Sequence, residues 1–107
     1  MRRDIFQAIA DPVRREILEI ISTDSLTVNE VAEHFDISRQ AVSKQLKILT
    51  ECGLLAVNQS GRERFFSIQP ESLIPASMWI DQLQRQWTDR IDSFEQYVEK
   101  LRASDKI

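Results

Sequence analysis

Two glycines and one histidine leave this chain little material for catalysis. A phosphate-cradling loop needs several glycines, and no GxSxG, HExxH or Cys/His arrangement of catalytic type occurs. No enzymatic activity is expected. The single cysteine, Cys52, rules out a disulfide framework within the chain and fits a reducing cytoplasm. It has no second thiol in the chain to resolve an oxidised form, so it reads as a packed structural cysteine. Zinc and soft-metal sites need several Cys or His ligands, so no metal and no cofactor are expected. No apolar run approaches the roughly 18 residues needed to cross a bilayer, so no membrane partner is expected. The opening MRRDIFQAIADP has two arginines but not the apolar stretch of a signal peptide. Three prolines and few glycines argue against disorder and against a loop-rich sandwich.

With 42% hydrophobic and 29% charged residues, the 107-residue chain reads as one soluble globular domain, 1–107. Its net charge of −3 counts against nucleic-acid binding, whose simplest footprint is a basic domain. The distribution of charge points the other way. From Ser38 to Thr50 there are Arg39, Lys44 and Lys47 and no acid, and Arg62 and Arg64 form a second basic site. The last 38 residues carry seven acids against five bases, so the acidity lies elsewhere.

Periodicity supplies the elements. Ile5, Phe6, Ile9 and Ala10 at helical spacing predict a short first helix over about 3–10. Asp11-Pro12 suits the N-cap and first position of a second helix, whose face holds Val13, Ile17, Ile20 and Ile21. Thr27 and Glu30 have capping-box spacing, and Val28, Val31, Ala32 and Phe35 follow as a third helix. His34 to Ile37 is a tight connection, with His34 a polar helix-end residue. Ser38 caps a fourth helix that runs to about Cys52, and Gly53 sits where a left-handed terminator belongs. Leu54–Gln59 and Arg62–Ile68 flank Ser60-Gly61, a hairpin signal. Pro70 and Pro75 bracket a loop, and one long helix covers about 75–102.

The third and fourth helices form a helix-turn-helix. On the fourth, Ala41, Val42, Leu46, Ile48 and Leu49 fall in one arc of roughly 160°. Arg39, Gln40, Ser43, Lys44, Lys47 and Thr50 fall opposite. Gln45 is the misfit, a polar residue in the apolar arc that needs a hydrogen bond at its edge. A solvated face usually mixes Glu with Lys; this one has none. Arg and Lys reach guanine O6 and N7, Gln pairs with adenine, and Ser and Lys suit phosphates. Arg62 and Arg64 on the hairpin can reach a minor groove or the backbone. The candidate DNA-binding residues are therefore Ser38, Arg39, Gln40, Ser43, Lys44, Lys47, Arg62 and Arg64.

In the last helix, Ile80, Leu83, Trp87, Ile91, Phe94, Val98 and Leu101 are spaced 3, 4, 4, 3, 4 and 3, an a/d-like seam. With Ile5, Phe6 and Ile9 of the first helix, it is expected to pair with its copy in a homodimer. Trp79 and Trp87 invite a small-molecule pocket, yet aromatics on a seam are more often core. Two competing functions remain: an enzyme, or a winged helix that binds protein instead of DNA. Salt dependence separates the latter from a DNA-binding protein.

The run Ser38-Arg-Gln-Ala-Val-Ser-Lys-Gln-Leu-Lys-Ile-Leu49, followed by Cys52-Gly-Leu-Leu, resembles the ArsR family of winged-helix repressors. So do Ala-Asp-Pro-Val-Arg-Arg-Glu-Ile-Leu at 10–18 and Gly61-Arg-Glu-Arg-Phe-Phe. The resemblance spans about 3–69, and Trp79-Ile-Asp-Gln…Trp87 resembles a subgroup without the metal box. It implies a mainly α fold with a small β-hairpin: a winged helix-turn-helix body at 3–69 and a C-terminal dimerisation helix at 75–102. It also implies a cytoplasmic, homodimeric repressor binding a palindromic operator on double-stranded DNA through the helix at about 38–51 and the wing at about 54–69. Position by position, it places Arg39, Gln40, Ser43 and Lys44 in the major groove, with Arg62 and Arg64 on the wing. Members that sense metal hold a Cys-x-Cys pair where this chain has Thr27 and Asn29. Others use Asp and His on the last helix, where Asp81, Asp89 and Asp92 here stand without a histidine. No residue set names a small-molecule effector.

Overall fold

The computed structural model describes residues 4–105. The chain divides into two compact units, one ending at Ile74 and the other beginning at Pro75.

In the first unit, helix starts follow from side chains that satisfy free backbone N–H groups. Helix α1 is Ile5–Ile9, opened by a reciprocal capping box between Asp4 and Gln7. Its expected start at residue 3 lies outside the described residues. Helix α2, Pro12–Ile21, has Asp11 as its N-cap, accepting from Val13 N at 2.9 Å. Helix α3 is Val28–Ala32, with the Thr27–Glu30 box formed in both directions. It is shorter than its apolar spacing suggests. Phe35 lies past its end in the turn, still packed against the core.

Helix α4, Arg39–Glu51, begins where Ser38 Oγ accepts from Ala41 N at 3.1 Å. It ends in a Schellman motif. Leu54 N donates to Leu49 O, Gly53 N donates to Thr50 O, and Gly53 takes φ +81°. Leu49 and Leu54, the apolar pair of that motif, are both fully buried.

Strands β1 (Leu55–Ser60) and β2 (Glu63–Ile68) pair antiparallel from Leu55↔Ile68 to Ser60↔Glu63. The loop is therefore Gly61-Arg62, one residue later than Ser60-Gly61. Gly61 at φ +63° takes the first loop position, where a two-residue hairpin tolerates an ordinary second residue. The register places Ser60 in the ladder and Arg62 at the tip. An isolated bridge, Leu26↔Phe66, ties β2 to the segment that leads into α3. The core gathers Ile17, Ile21, Val31, Val42, Leu46, Leu49 and Phe66 from α2, α3, α4 and β2. Each such side chain contributes about 1.5–3 kcal/mol by burial.

The segment between Pro70 and Pro75 is not a loop. Pro70–Leu73 form a 3₁₀ turn, and helix α5 runs Ile74–Asp105. Proline is tolerated in a first turn, where its missing N–H has no helical partner to lose. The second unit is the remainder of α5. At 1.5 Å per residue α5 is about 48 Å long. Among the described residues no helix is long and apolar enough to cross a membrane.

Candidate nucleic-acid interface

Val42, Leu46 and Leu49 are fully buried and Ile48 nearly so, which fixes the opposite side of α4 outward. Arg39, Gln40, Ser43, Lys44 and Lys47 are all exposed on that side. Ser38 is exposed too, but its oxygen is occupied as the N-cap, leaving the hydroxyl proton free to donate. Thr50 leaves the set: it is half-buried, and its hydroxyl donates to Leu46 O at 2.8 Å. The misfit Gln45 is half-buried and accepts from Arg14 at 2.9 Å.

The two basic sites of the sequence meet. Arg39 from the start of α4 and Arg62 and Arg64 from the hairpin line one groove of about 220 Å³, together with Thr27, Asn29 and the acid Glu63. Three cations face one anion there. The ion pairs found among the described residues are Arg14–Asp11 and Arg85–Asp81. Neither draws on the groove or on Lys44 or Lys47, so these charges remain available to a polyanion. Nothing in local periodicity shows this convergence. It depends on the Leu26–Phe66 bridge, which brings β2 to the α3 start and so to the turn before α4.

Thr27 and Asn29 stand at the start of α3. Thr27 Oγ1 accepts from Glu30 N, and both residues line the groove. His34 Nδ1 lies 3.0 Å from Glu30 O, a local contact at the end of α3. Cys52 is half-buried and packed against the core as the C-cap of α4. Among the described residues no group of three or more His, Cys, Asp or Glu is placed to hold a metal ion.

The expected pairing residues separate into two kinds. Ile5 and Ile9 are half-buried and pack on the core of their own body, whereas Phe6 is 46% exposed. Ile5 and Ile9 therefore have a core role that helical spacing alone did not distinguish. On α5, Ile80, Leu83, Trp87, Ile91, Phe94 and Leu101 are all exposed, and Val98 is half-buried. Exposed Trp79 and Tyr97, absent from the a/d seam, lie on its flank and widen the stripe. Arg90 lies over the Trp87 ring at 5.8 Å from its centroid, within cation–π range.

A model of a helix-turn-helix domain family matches residues 9–58. The chain is 31% identical over 77 residues to the transcriptional repressor SdpR of Bacillus subtilis, covering 72% of this chain and 86% of that protein. It is 34% identical over 94 residues to the HTH-type transcriptional regulator Rv2034 of Mycobacterium tuberculosis, covering 88% and 85%. Among solved structures, it is similar to that of an ArsR family transcriptional regulator, RHA00566, with 33% identity and TM-score 0.71 over 78% of this chain and 92% of that one.

Proposed function

The chain belongs to the ArsR family of winged helix-turn-helix transcription regulators, and from that premise we propose that it represses transcription as a homodimer on a palindromic operator. Its work is binding, without catalysis, in the cytoplasm. Helix α4 enters the major groove. Arg39, Gln40, Ser43 and Lys44 face base edges, while Ser38 and Lys47 hold phosphates. Arg62 and Arg64 hold the backbone or the neighbouring minor groove.

The observation that carries this reading is the groove shared by Arg39, Arg62 and Arg64, with the reverse of α4 buried. An acidic chain can bind an acidic polymer when its cations are gathered on one surface and its acids lie elsewhere. Phe6 of the first unit and the α5 stripe of the second each supply apolar surface for a second copy. A two-fold axis would set two reading helices roughly 34 Å apart, one turn of duplex. Each protomer brings few phosphate contacts, so pairing is what raises affinity to a useful level.

The test is a gel shift on the duplex upstream of the protein's own gene, at about 50 and about 200 mM salt. About six phosphate contacts per dimer predict a loss of affinity of roughly 10³-fold between the two. Binding that is absent, or indifferent to salt, overturns the proposal in favour of a protein partner.

A further inference from the structure

Arg14 of α2 is the hub of the best-satisfied polar cluster in the first unit. Its side chain is 13% exposed and donates in four directions. Nε reaches Ala8 O at 2.7 Å and Nη2 reaches Gln7 O at 2.9 Å, a carbonyl that also accepts from Ala10 N, so both bonds fall at the end of α1. Nη1 reaches Asp11 Oδ2 at 3.4 Å and Gln45 Oε1 at 2.9 Å. One planar guanidinium thus spans α1, the α2 cap and the middle of α4.

The buried side chains of α4 are apolar: Val42, Leu46, Ile48 and Leu49. Apolar burial is non-directional, so it holds a helix down without strictly fixing its rotation about its own axis. A hydrogen bond from a rigid fork does fix it. Gln45 adjoins Lys44 in sequence, so a roll of α4 that broke the Arg14–Gln45 bond would re-aim Ser43, Lys44 and Lys47 together. The other end of the clamp holds α1, which presents exposed Phe6.

We propose that Arg14 and Gln45 are positioning residues that set the azimuth of the reading helix relative to α1, and thereby govern discrimination between DNA sequences. This rests on the DNA-binding reading above. Neither residue touches DNA in it. Raw attraction to phosphate should therefore survive loss of the clamp while sequence preference falls.

The experiment compares wild type, Gln45→Leu, Gln45→Glu and Arg14→Lys on two duplexes of equal length. One is selected by the wild type from a randomised pool and the other is unrelated. The readout is the ratio of the two affinities, with the salt slope and helical content as controls. Gln45→Leu suits the apolar arc and should stay folded. Its ratio should drop by roughly tenfold or more, the size expected for a hydrogen bond to a charged group, with the salt slope unchanged. Gln45→Glu keeps an acceptor for Arg14 and should restore the ratio, even if its charge lowers both affinities. Arg14→Lys keeps the charge without the fork, and its ratio should fall as well. An undiminished ratio in Gln45→Leu overturns the proposal, as does failure of Gln45→Glu to rescue it. A wild type that selects no duplex overturns the parent reading, and this one with it.

Discussion

A cation can serve DNA in two ways, and the two leave different signatures at the residue scale. Arg39 and Lys44 stand exposed on the outer face of α4, opposite the fully buried Val42 and Leu46. A bidentate contact from such a residue to guanine discriminates by about 1–3 kcal/mol. Arg39→Ala and Lys44→Ala should each cost that much per half-site and relax preference at one base position in each half-site, measured by binding to single-base operator variants. Arg64 is on the hairpin, suited to phosphate. Arg64→Ala should weaken all duplexes about equally and reduce the salt slope by about 2, one phosphate contact being lost from each protomer. Unchanged affinity in both α4 variants would remove the assignment of α4 as the reading helix.

Single residues also show what was legible. Asp11, Thr27 and Ser38 could be placed as caps from the sequence because a cap is a local bargain between a side chain and the next two or three N–H groups. The Asp4–Gln7 box follows the same logic at the same spacing, beside the apolar pattern of α1. Gln45 stood out as a polar residue on an apolar arc. Its partner Arg14, 31 residues away, was not identifiable from the chain.

At the scale of elements, boundaries followed backbone chemistry more closely than apolar spacing did. Helix α3 stops at Ala32 although Phe35 continues the i, i+7 pattern, because a side chain in the following turn can reach the same core. The hairpin shifts by one residue because its positive-φ glycine belongs at the first loop position. The two prolines mark a helix entrance. The end of α4 is the most exacting of these boundaries. Gly53 at φ +81° has Ser72 Oγ 3.7 Å from where a Cβ would sit, an ordinary contact. The cost of Gly53→Ala is thus conformational, about 1–2 kcal/mol, read as a lower midpoint in urea unfolding. A variant as stable as the parent would show that the Schellman turn does not require the left-handed conformation.

For the whole molecule the deciding matter is the stripe on α5. Trp87 is 57% exposed and Phe94 67%, with Tyr97 and Leu101 exposed beside them. Apolar surface of this extent marks an interaction site. Trp87→Glu should leave the first unit folded, because Trp87 lies outside its core. It should convert the protein to monomers by light scattering. Its DNA binding should weaken, with a salt slope about half that of wild type, since each monomer brings half the phosphate contacts. A variant that remains dimeric would remove the seam from the interface.

Element order, the mainly helical winged fold and the polarity of α4 were all contained in the order of residues, since each rests on neighbours within about a turn of helix or a hairpin. The family resemblance carried the same information further. Three arrangements were decided by the tertiary structure: the convergence of Arg39 with Arg62 and Arg64, the Leu26–Phe66 bridge, and the Arg14 clamp on α1 and α4. Each joins groups more than twenty residues apart along the chain. Periodicity tells which side of an element is buried. Which buried sides meet is settled when the core closes around Ile17, Leu46 and Phe66 and their shapes pack together.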